Sequence, residues 1–236
     1  LSFIRAAAET PLPELGLPRL PIDFINWHQF NADPLEPEAF GAPARQVREW
    51  LARFGYGRDT ELLVGEWILW QYFGKPHAFM NEEHDTEVTA AYIVSALLAM
   101  HEAGIQRHSF AYLIDSVPGR EFVGDFGLFT KRGVTKASFN AFKALSRLEG
   151  TRLGVTLADP TLRGIAAERD GRIVLVLSNF IPTGDMLRAH VGRRLRERGL
   201  TREFLARHGL TPQDTERLLS GALDLGSLRA SPAERE

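Results

Sequence analysis

The chain has 236 residues, of which 44% are hydrophobic and 25% are charged, a composition typical of a globular protein with a substantial core. Lys and Arg number 28 against 30 Asp and Glu, so a net charge of −2 gives no electrostatic reason to expect a nucleic-acid or membrane partner. No apolar run reaches the roughly 18 residues that would span a bilayer, and the absence of cysteine excludes disulfides, thiolate metal sites and a cysteine nucleophile.

The first two thirds of the chain alternates apolar strands with amphipathic helices. After a short helix at 2–9, we predict strands at 22–27, 62–67 and 109–114, each followed by a helix: at 44–54, from a cap at Asp85 to Gly104, and at 137–148. Near-continuous apolar strands joined by helices are typical of a parallel sheet covered on both faces. A closed α/β barrel needs about eight such units. Three units therefore form either a small open sheet or part of something larger.

The pattern changes at about Gly150. An Asp170-Gly171 turn between apolar runs at 164–169 and 172–179 predicts an antiparallel hairpin. Residues 183–223 read as two helices broken at Gly209, whose arginines we interpret as a solvated face rather than a site for an anionic partner. We therefore predict a second domain at 150–236, a small β-sandwich-like segment with a helical extension, after an α/β domain at 1–149.

Polar and aromatic residues end the predicted parallel strands. They are Asn26, Trp27 and His28 on the first strand, Glu66 and Trp67 on the second, and Asp115 after the third. Ligands bind beyond the carboxyl ends of parallel strands, so these side chains are expected to converge. Glu66 is the strongest candidate, because a carboxylate ending an apolar run costs free energy if it is desolvated. A buried structural ion pair explains Glu66 equally well at this point.

Three blocks of the sequence resemble glycoside hydrolase family 39, the β-xylosidase and α-L-iduronidase group of clan A. DFINWH at 23–28 is similar to the family's DFxSWHxY, and LVGEW at 63–67 is similar to its xTEW. GDFGLFT at 124–130 and GVTKASFNAF at 133–142 are similar to its GGxGLLTxxGxxKPAYxAF. The blocks occur in the family's order over about residues 20–180. The resemblance implies that residues 1–149 form the last three βα units of a (β/α)8 barrel.

The resemblance also implies roles. Glu66 matches the nucleophile of a retaining hydrolase, and His28 matches a histidine that hydrogen-bonds this carboxylate or a sugar hydroxyl. Trp27 and Trp67 match walls of a sugar site, with core packing as the alternative. Asp115 either binds substrate or caps the next turn. The implied partner is a glycoside or oligosaccharide; no cofactor, nucleotide or metal site is expected, and the compartment and oligomeric state stay open.

The sequence also departs from the family. Gly65, Ile68 and Phe30 replace a Thr, a polar residue and a Tyr. The family's acid/base Glu follows an Asn on strand four, and nothing before residue 22 supplies it. Asn81-Glu82 comes too late in the chain for that role, in a long loop at 69–84 whose aromatic residues could form a subsite. We therefore expect a fragment that is nearly inactive alone. A non-catalytic carbohydrate-binding or scaffold domain on a degenerate barrel is the alternative.

Overall fold

A computed structural model describes residues 1–30, 35–69, 82–159 and 161–219. Most of the loop predicted at 69–84, including Asn81, lies outside these residues. The described chain forms two compact units. The first extends to Ile181, and the second contains Leu35 and the residues from Pro182 onward.

A three-stranded parallel sheet forms the centre of the first unit. Its strands are β1 (Phe24–His28), β2 (Glu61–Trp67) and β3 (Arg107–Phe110), in the order β1-β2-β3. The predicted parallel direction is confirmed, but the third strand was expected to continue to Ile114. It ends at Phe110 because the following segment pairs elsewhere: Leu113 O accepts from Phe129 N at 3.0 Å.

Four helices accompany this sheet: α1 (Ser2–Glu9), α2 (Gly41–Arg53), α3 (Glu87–Glu102) and α4 (Ala137–Leu145). The predicted cap at Asp85 is wrong. Thr86 caps α3 instead, since its Oγ1 accepts from Val88 N at 3.3 Å. Residues around most of the circumference of α3 are buried, in agreement with its mostly apolar sequence.

The sheet is covered on one face by the described residues. Leu62, Val64 and Trp67 are fully buried on that face. Trp67 contacts Phe142 of α4 there, and also Phe40, which directly precedes α2. The opposite face carries the exposed side chains of Phe24, Asn26 and His28 on β1. The expectation of a sheet covered on both faces is therefore wrong for the described part of the chain.

A second, antiparallel sheet contains β4 (Thr151–Leu153), β5 (Leu162–Arg169) and β6 (Arg172–Asn179) in that order. The predicted hairpin is confirmed: Asp170 and Gly171 both have positive φ, 53° and 73°, as a two-residue type I′ turn requires. This sheet contacts α3 through Ser178, whose Oγ donates to Ala91 O at 3.2 Å. It belongs to the first compact unit, and the domain boundary between residues 149 and 150 stays a prediction.

The second unit is helical, with α5 (Gly184–Glu197), α6 (Arg202–Arg207) and α7 (Pro212–Leu219). The break predicted at Gly209 is confirmed, and a further break at Gly199 divides the helix expected before it. Both glycines have positive φ, 83° and 80°. None of the helices that the structure describes is long and apolar enough to cross a membrane.

Candidate active site

Gly65 is the extra residue of a β-bulge in β2. Trp27 pairs with Val64, but the next residue of β1, His28, pairs with Glu66. The other neighbour has the same irregularity, since β3 advances two residues, from His108 to Phe110, while β2 advances three, from Val64 to Trp67. A bulge of this kind changes which face the following side chains occupy.

The bulge turns Glu66 away from the core. In a regular strand, Glu66 would share the face of Leu62 and Val64, both of which are 0% exposed. Instead Trp67 occupies that buried face, and the Glu66 side chain is 30% exposed. The one-residue shift therefore places a large apolar ring in the core and a carboxylate on the open face.

His28 meets Glu66 on this open face. Its Nδ1 lies 3.0 Å from Glu66 Oε2, and its side chain is 56% exposed. The contact pairs the imidazole with the carboxylate across two neighbouring strands and limits the directions open to the carboxylate. Gln29 N also donates to the backbone oxygen of Glu66, at 2.9 Å. The predicted juxtaposition of His28 and Glu66 is present in the structure.

Trp27 lies on the other face of β1. It pairs with Val64, its side chain is half-buried, and its Nε1 donates to Gln29 Oε1 at 3.0 Å. Successive residues of a strand point to opposite faces, so Trp27 does not share the face of His28. The geometry does not join Trp27 to the His28–Glu66 pair, and its sugar-binding role stays a prediction.

Trp67 is part of the core. Its indole is fully buried, its Nε1 donates to His108 Nδ1 at 3.3 Å, and its ring makes edge contacts with Phe40 and Phe110 at 5.6 and 5.1 Å. Burial of part of the imidazole lowers the pKa of His108. Core packing, the alternative considered for Trp67, is what these contacts support.

Asp115 lies five residues beyond the end of β3 and is 2% exposed. Its Oδ1 accepts from Gly127 N at 2.8 Å and from Lys136 Nζ at 3.1 Å. Burial raises the pKa of Asp115, and the ammonium group of Lys136 opposes this effect. With these contacts the carboxylate organises the interior; nothing in the geometry supports its predicted role in substrate binding.

Lys136 is an important residue that the sequence reasoning missed. Its side chain is 0% exposed, and its Nζ lies 2.5 Å from Asp85 Oδ1 and also donates to Asp115 and to the backbone oxygen of Asp125. These partners are 51, 21 and 11 residues away in sequence, so no local pattern marks the lysine. A sequence signal that could have found it is its place in the family-like block at 133–142, where Lys136 matches the family's Lys.

The Asp125 carboxylate closes the loop beside this cluster. Its Oδ2 accepts from Ser116 N at 2.6 Å and from Val117 N at 3.2 Å. Although burial acts to raise it, the pKa of Asp125 is lowered overall by hydrogen bonds from Ser116, Phe126 and Val117. Asp125 is thus a loop-bracing residue.

The apolar departures from the family pattern have a packing explanation. Ile68 is buried with Ala111 and Phe126, and Phe30 packs against the same cluster. The Phe30 ring also meets the His28 ring edge-on, with centroids 6.4 Å apart. Phe30 thus links this cluster to the imidazole of His28.

A cavity in the first unit lies away from the His28–Glu66 pair. A cavity of about 680 Å³ opens at the amino ends of the strands, lined by Asp23, Glu61 and Arg107 among others, whereas His28 and Glu66 are at the carboxyl ends. Within the ranges that the structure describes, no group of three or more His, Cys, Asp or Glu side chains could hold a metal ion.

The described chain has an α/β fold with a carboxylate at the carboxyl edge of a parallel sheet, and known proteins of similar sequence and structure include glycosidases. No family model matches the chain. A curated β-xylosidase of Caldicellulosiruptor saccharolyticus is 28% identical over 180 residues, which are 68% of this chain and 35% of that protein.

Solved structures to which the chain is similar also include glycosidases. A family 39 β-xylosidase from Caulobacter crescentus has a TM-score of 0.52 at 25% identity, over 73% of this chain and 34% of that one. A family 39 enzyme from Xanthomonas axonopodis pv. citri has a TM-score of 0.51 at 26% identity, over 65% of this chain and 32% of that one. A glucosidase from Croceicoccus marinus, 21% identical with a TM-score of 0.57 over 79% of this chain and 37% of that one, supports the fold alone.

The recognition from sequence motifs is therefore confirmed: over the matched part, the chain is similar to family 39 glycoside hydrolases. The chain spans about a third of the length of the relatives it matches.

Proposed function

We propose that this chain is the part of a retaining, family-39-like glycosidase that carries the nucleophile, Glu66. The observation behind this proposal is the bulge at Gly65, which turns Glu66 to the open face of the sheet. There Glu66 Oε2 lies 3.0 Å from His28 Nδ1. A carboxylate held in a fixed direction at the carboxyl edge of a parallel sheet can attack a sugar bound there.

In a retaining mechanism Glu66 attacks the anomeric carbon to give a glycosyl ester, which water then hydrolyses. His28 holds the carboxylate in position through the contact at its Nδ1. A second carboxyl group about 5 to 5.5 Å away must protonate the leaving oxygen. By the resemblance, this acid/base follows an Asn on an earlier strand of the barrel, so we assign it to residues outside those that the structure describes.

The three parallel strands fit the last three units of an eight-stranded barrel. The uncovered face of β1, with its exposed Phe24, Asn26 and His28, would then face the barrel interior. Three strands alone leave this face in water, and for that reason we expect the chain by itself to be nearly inactive on glycosides whose departure needs an acid.

β-Xylosides are the substrate class to test first, because relatives in both comparisons are named β-xylosidases. The carbohydrate-binding or scaffold alternative is not favoured, since these relatives are named as enzymes. Ile68 and Phe30, which suggested a degenerate site, pack in one core cluster with Ala111 and Phe126.

The proposal is tested with 2,4-dinitrophenyl β-xyloside, whose leaving group departs without an acid. We expect the chain to release dinitrophenol slowly and to be nearly inert toward methyl β-xyloside. Glu66→Gln should abolish the release. Glu61→Gln is the matched control, because Glu61 begins the same strand and pairs with Arg107 at its exposed end. Release that is unchanged in Glu66→Gln contradicts the proposal.

A further inference from the structure

Asn26 shares the open face of the sheet with His28. It lies two residues earlier on β1, where side chains repeat on the same face with a period of two, and it is exposed. Its register partner is Leu63 on β2. Asn26 is therefore the residue of β1 that precedes His28 along the face to which Glu66 is turned.

The side chain of Asn26 lies across Gly65. A Cβ added to Gly65 would stand 2.4 Å from Asn26 Oδ1, 2.7 Å from Nδ2 and 2.9 Å from Cγ, closer than real Cβ atoms come. Gly65 is not among the glycines with positive φ, so the constraint here is space rather than backbone conformation, and a Cβ would push the Asn26 carboxamide aside. The carboxamide thus occupies the place directly above the residue that precedes Glu66.

The position suits recognition of a sugar. A carboxamide both donates and accepts, which matches a sugar hydroxyl, and it does so without adding charge beside an attacking carboxylate. The side-chain hydrogen bonds of the described residues include none made by Asn26. The adjacent carboxylate of Glu66 is, by contrast, already held by His28.

We propose that Asn26 binds a hydroxyl group of the sugar held at Glu66 and that Gly65 is needed to admit its carboxamide. Asn26 is then a specificity-determining residue of the site, and Gly65 is a positioning residue that acts through it. This inference rests on the proposed function, because it takes a sugar at Glu66 as its ligand.

The test measures the binding of methyl β-xyloside and of its 2-, 3- and 4-deoxy analogues by NMR titration of the full chain. The wild type should bind one deoxy analogue about three- to tenfold more weakly than methyl β-xyloside, as expected for one lost hydrogen bond. Asn26→Ala should bind methyl β-xyloside about three- to tenfold more weakly than the wild type does. It should bind methyl β-xyloside and that deoxy analogue with equal affinity. Asn140→Ala, which removes an exposed amide from α4, should behave as wild type.

Gly65→Ala should weaken binding as Asn26→Ala does, because its Cβ displaces the carboxamide. The Asn26→Ala/Gly65→Ala double variant should bind no more weakly than Asn26→Ala alone. If Gly65→Ala does not fold, the comparison of Asn26→Ala with wild type still decides the outcome.

Wild-type affinities that are equal for all four sugars, or unaltered by Asn26→Ala, would overturn the assignment of Asn26. The role of Glu66 is read separately, by dinitrophenol release in Glu66→Gln. The two proposals therefore fail independently.

Discussion

Lys136 holds a positive charge in the interior, against the carboxylates of Asp85 and Asp115. Removing an ion from water costs several kcal/mol, and the cost is met here by two carboxylates and the backbone oxygen of Asp125. Asp85 Oδ2 also accepts from Gly124 N at 2.5 Å. The cluster joins the start of α3, the segment after β3 and the start of α4 into one network.

Replacing Lys136 by Met keeps most of the side-chain volume but leaves two buried carboxylates without their cation. We expect Lys136→Met to lower the free energy of unfolding by about 3–5 kcal/mol, measured by urea denaturation. Lys143→Met, an exposed change on α4, should stay within about 0.5 kcal/mol of wild type. Equal midpoints for the two variants would show that the cluster contributes little.

His108 gives the stability a dependence on pH. Its Nδ1 accepts a hydrogen bond from Trp67, and burial of part of the ring lowers its pKa below the ordinary value of 6.5. At a pH between the lowered pKa of folded His108 and the ordinary pKa of 6.5 in the unfolded chain, the unfolded chain holds more protons than the folded chain. The contribution of neutral His108 to the free energy of unfolding is therefore complete above pH 6.5 and is lost as the pH falls through the lowered pKa.

We therefore expect the urea midpoint to fall between about pH 7.5 and pH 5.5, a window chosen on either side of the ordinary histidine pKa. His108→Asn keeps an acceptor for the indole but cannot take up the proton, so its midpoint should fall less over the same range. Identical falls in the variant and the wild type would count against this account of His108.

At the scale of elements, apolar runs in the sequence were sufficient to predict the parallel sheet, the hairpin at Asp170-Gly171 and the order of the helices. The failures have non-local causes. The third strand is shorter than its apolar run because Leu113 pairs with Phe129. Asp85 has the position of a helix cap in the sequence, but its carboxylate forms an ion pair with Lys136, which is 51 residues away.

The bulge at Gly65 shows how far the candidate site could be predicted. The residue types were enough to single out Glu66 and His28, and the structure brings them together. A glycine inside a strand is a known signal of a bulge, but here it was interpreted only as a departure from the family's Thr. Without the bulge, alternation would have exposed Trp67; with the bulge its indole is buried, as the core-packing alternative expected.

Thr86 provides a test at this scale, since its Oγ1 accepts from Val88 N at the start of α3 and donates to Glu83 O at 3.0 Å. Thr86→Ala should lower the free energy of unfolding by about 0.5–2 kcal/mol, the usual cost of removing a cap. Thr86→Ser retains the hydroxyl and should recover most of this loss. A Ser variant as unstable as the Ala variant would mean that the cap contributes nothing.

For the whole molecule, the chain spans about a third of the relatives it matches and presents an open sheet face on which His28 and Glu66 meet. The account's central claim is that Glu66 is a nucleophile toward sugars. The claim requires the carboxylate to form a bond with an anomeric carbon when the leaving group needs no acid.

The most direct measurement is intact-protein and peptide mass spectrometry after incubation with 2,4-dinitrophenyl 2-deoxy-2-fluoro-β-xyloside, whose fluorine slows hydrolysis of the ester. The account predicts one added fluoroxylosyl group on the peptide that contains Glu66, present also in Glu61→Gln and absent from Glu66→Gln. An unlabelled wild-type chain, or a label on another carboxylate that persists in Glu66→Gln, would contradict it.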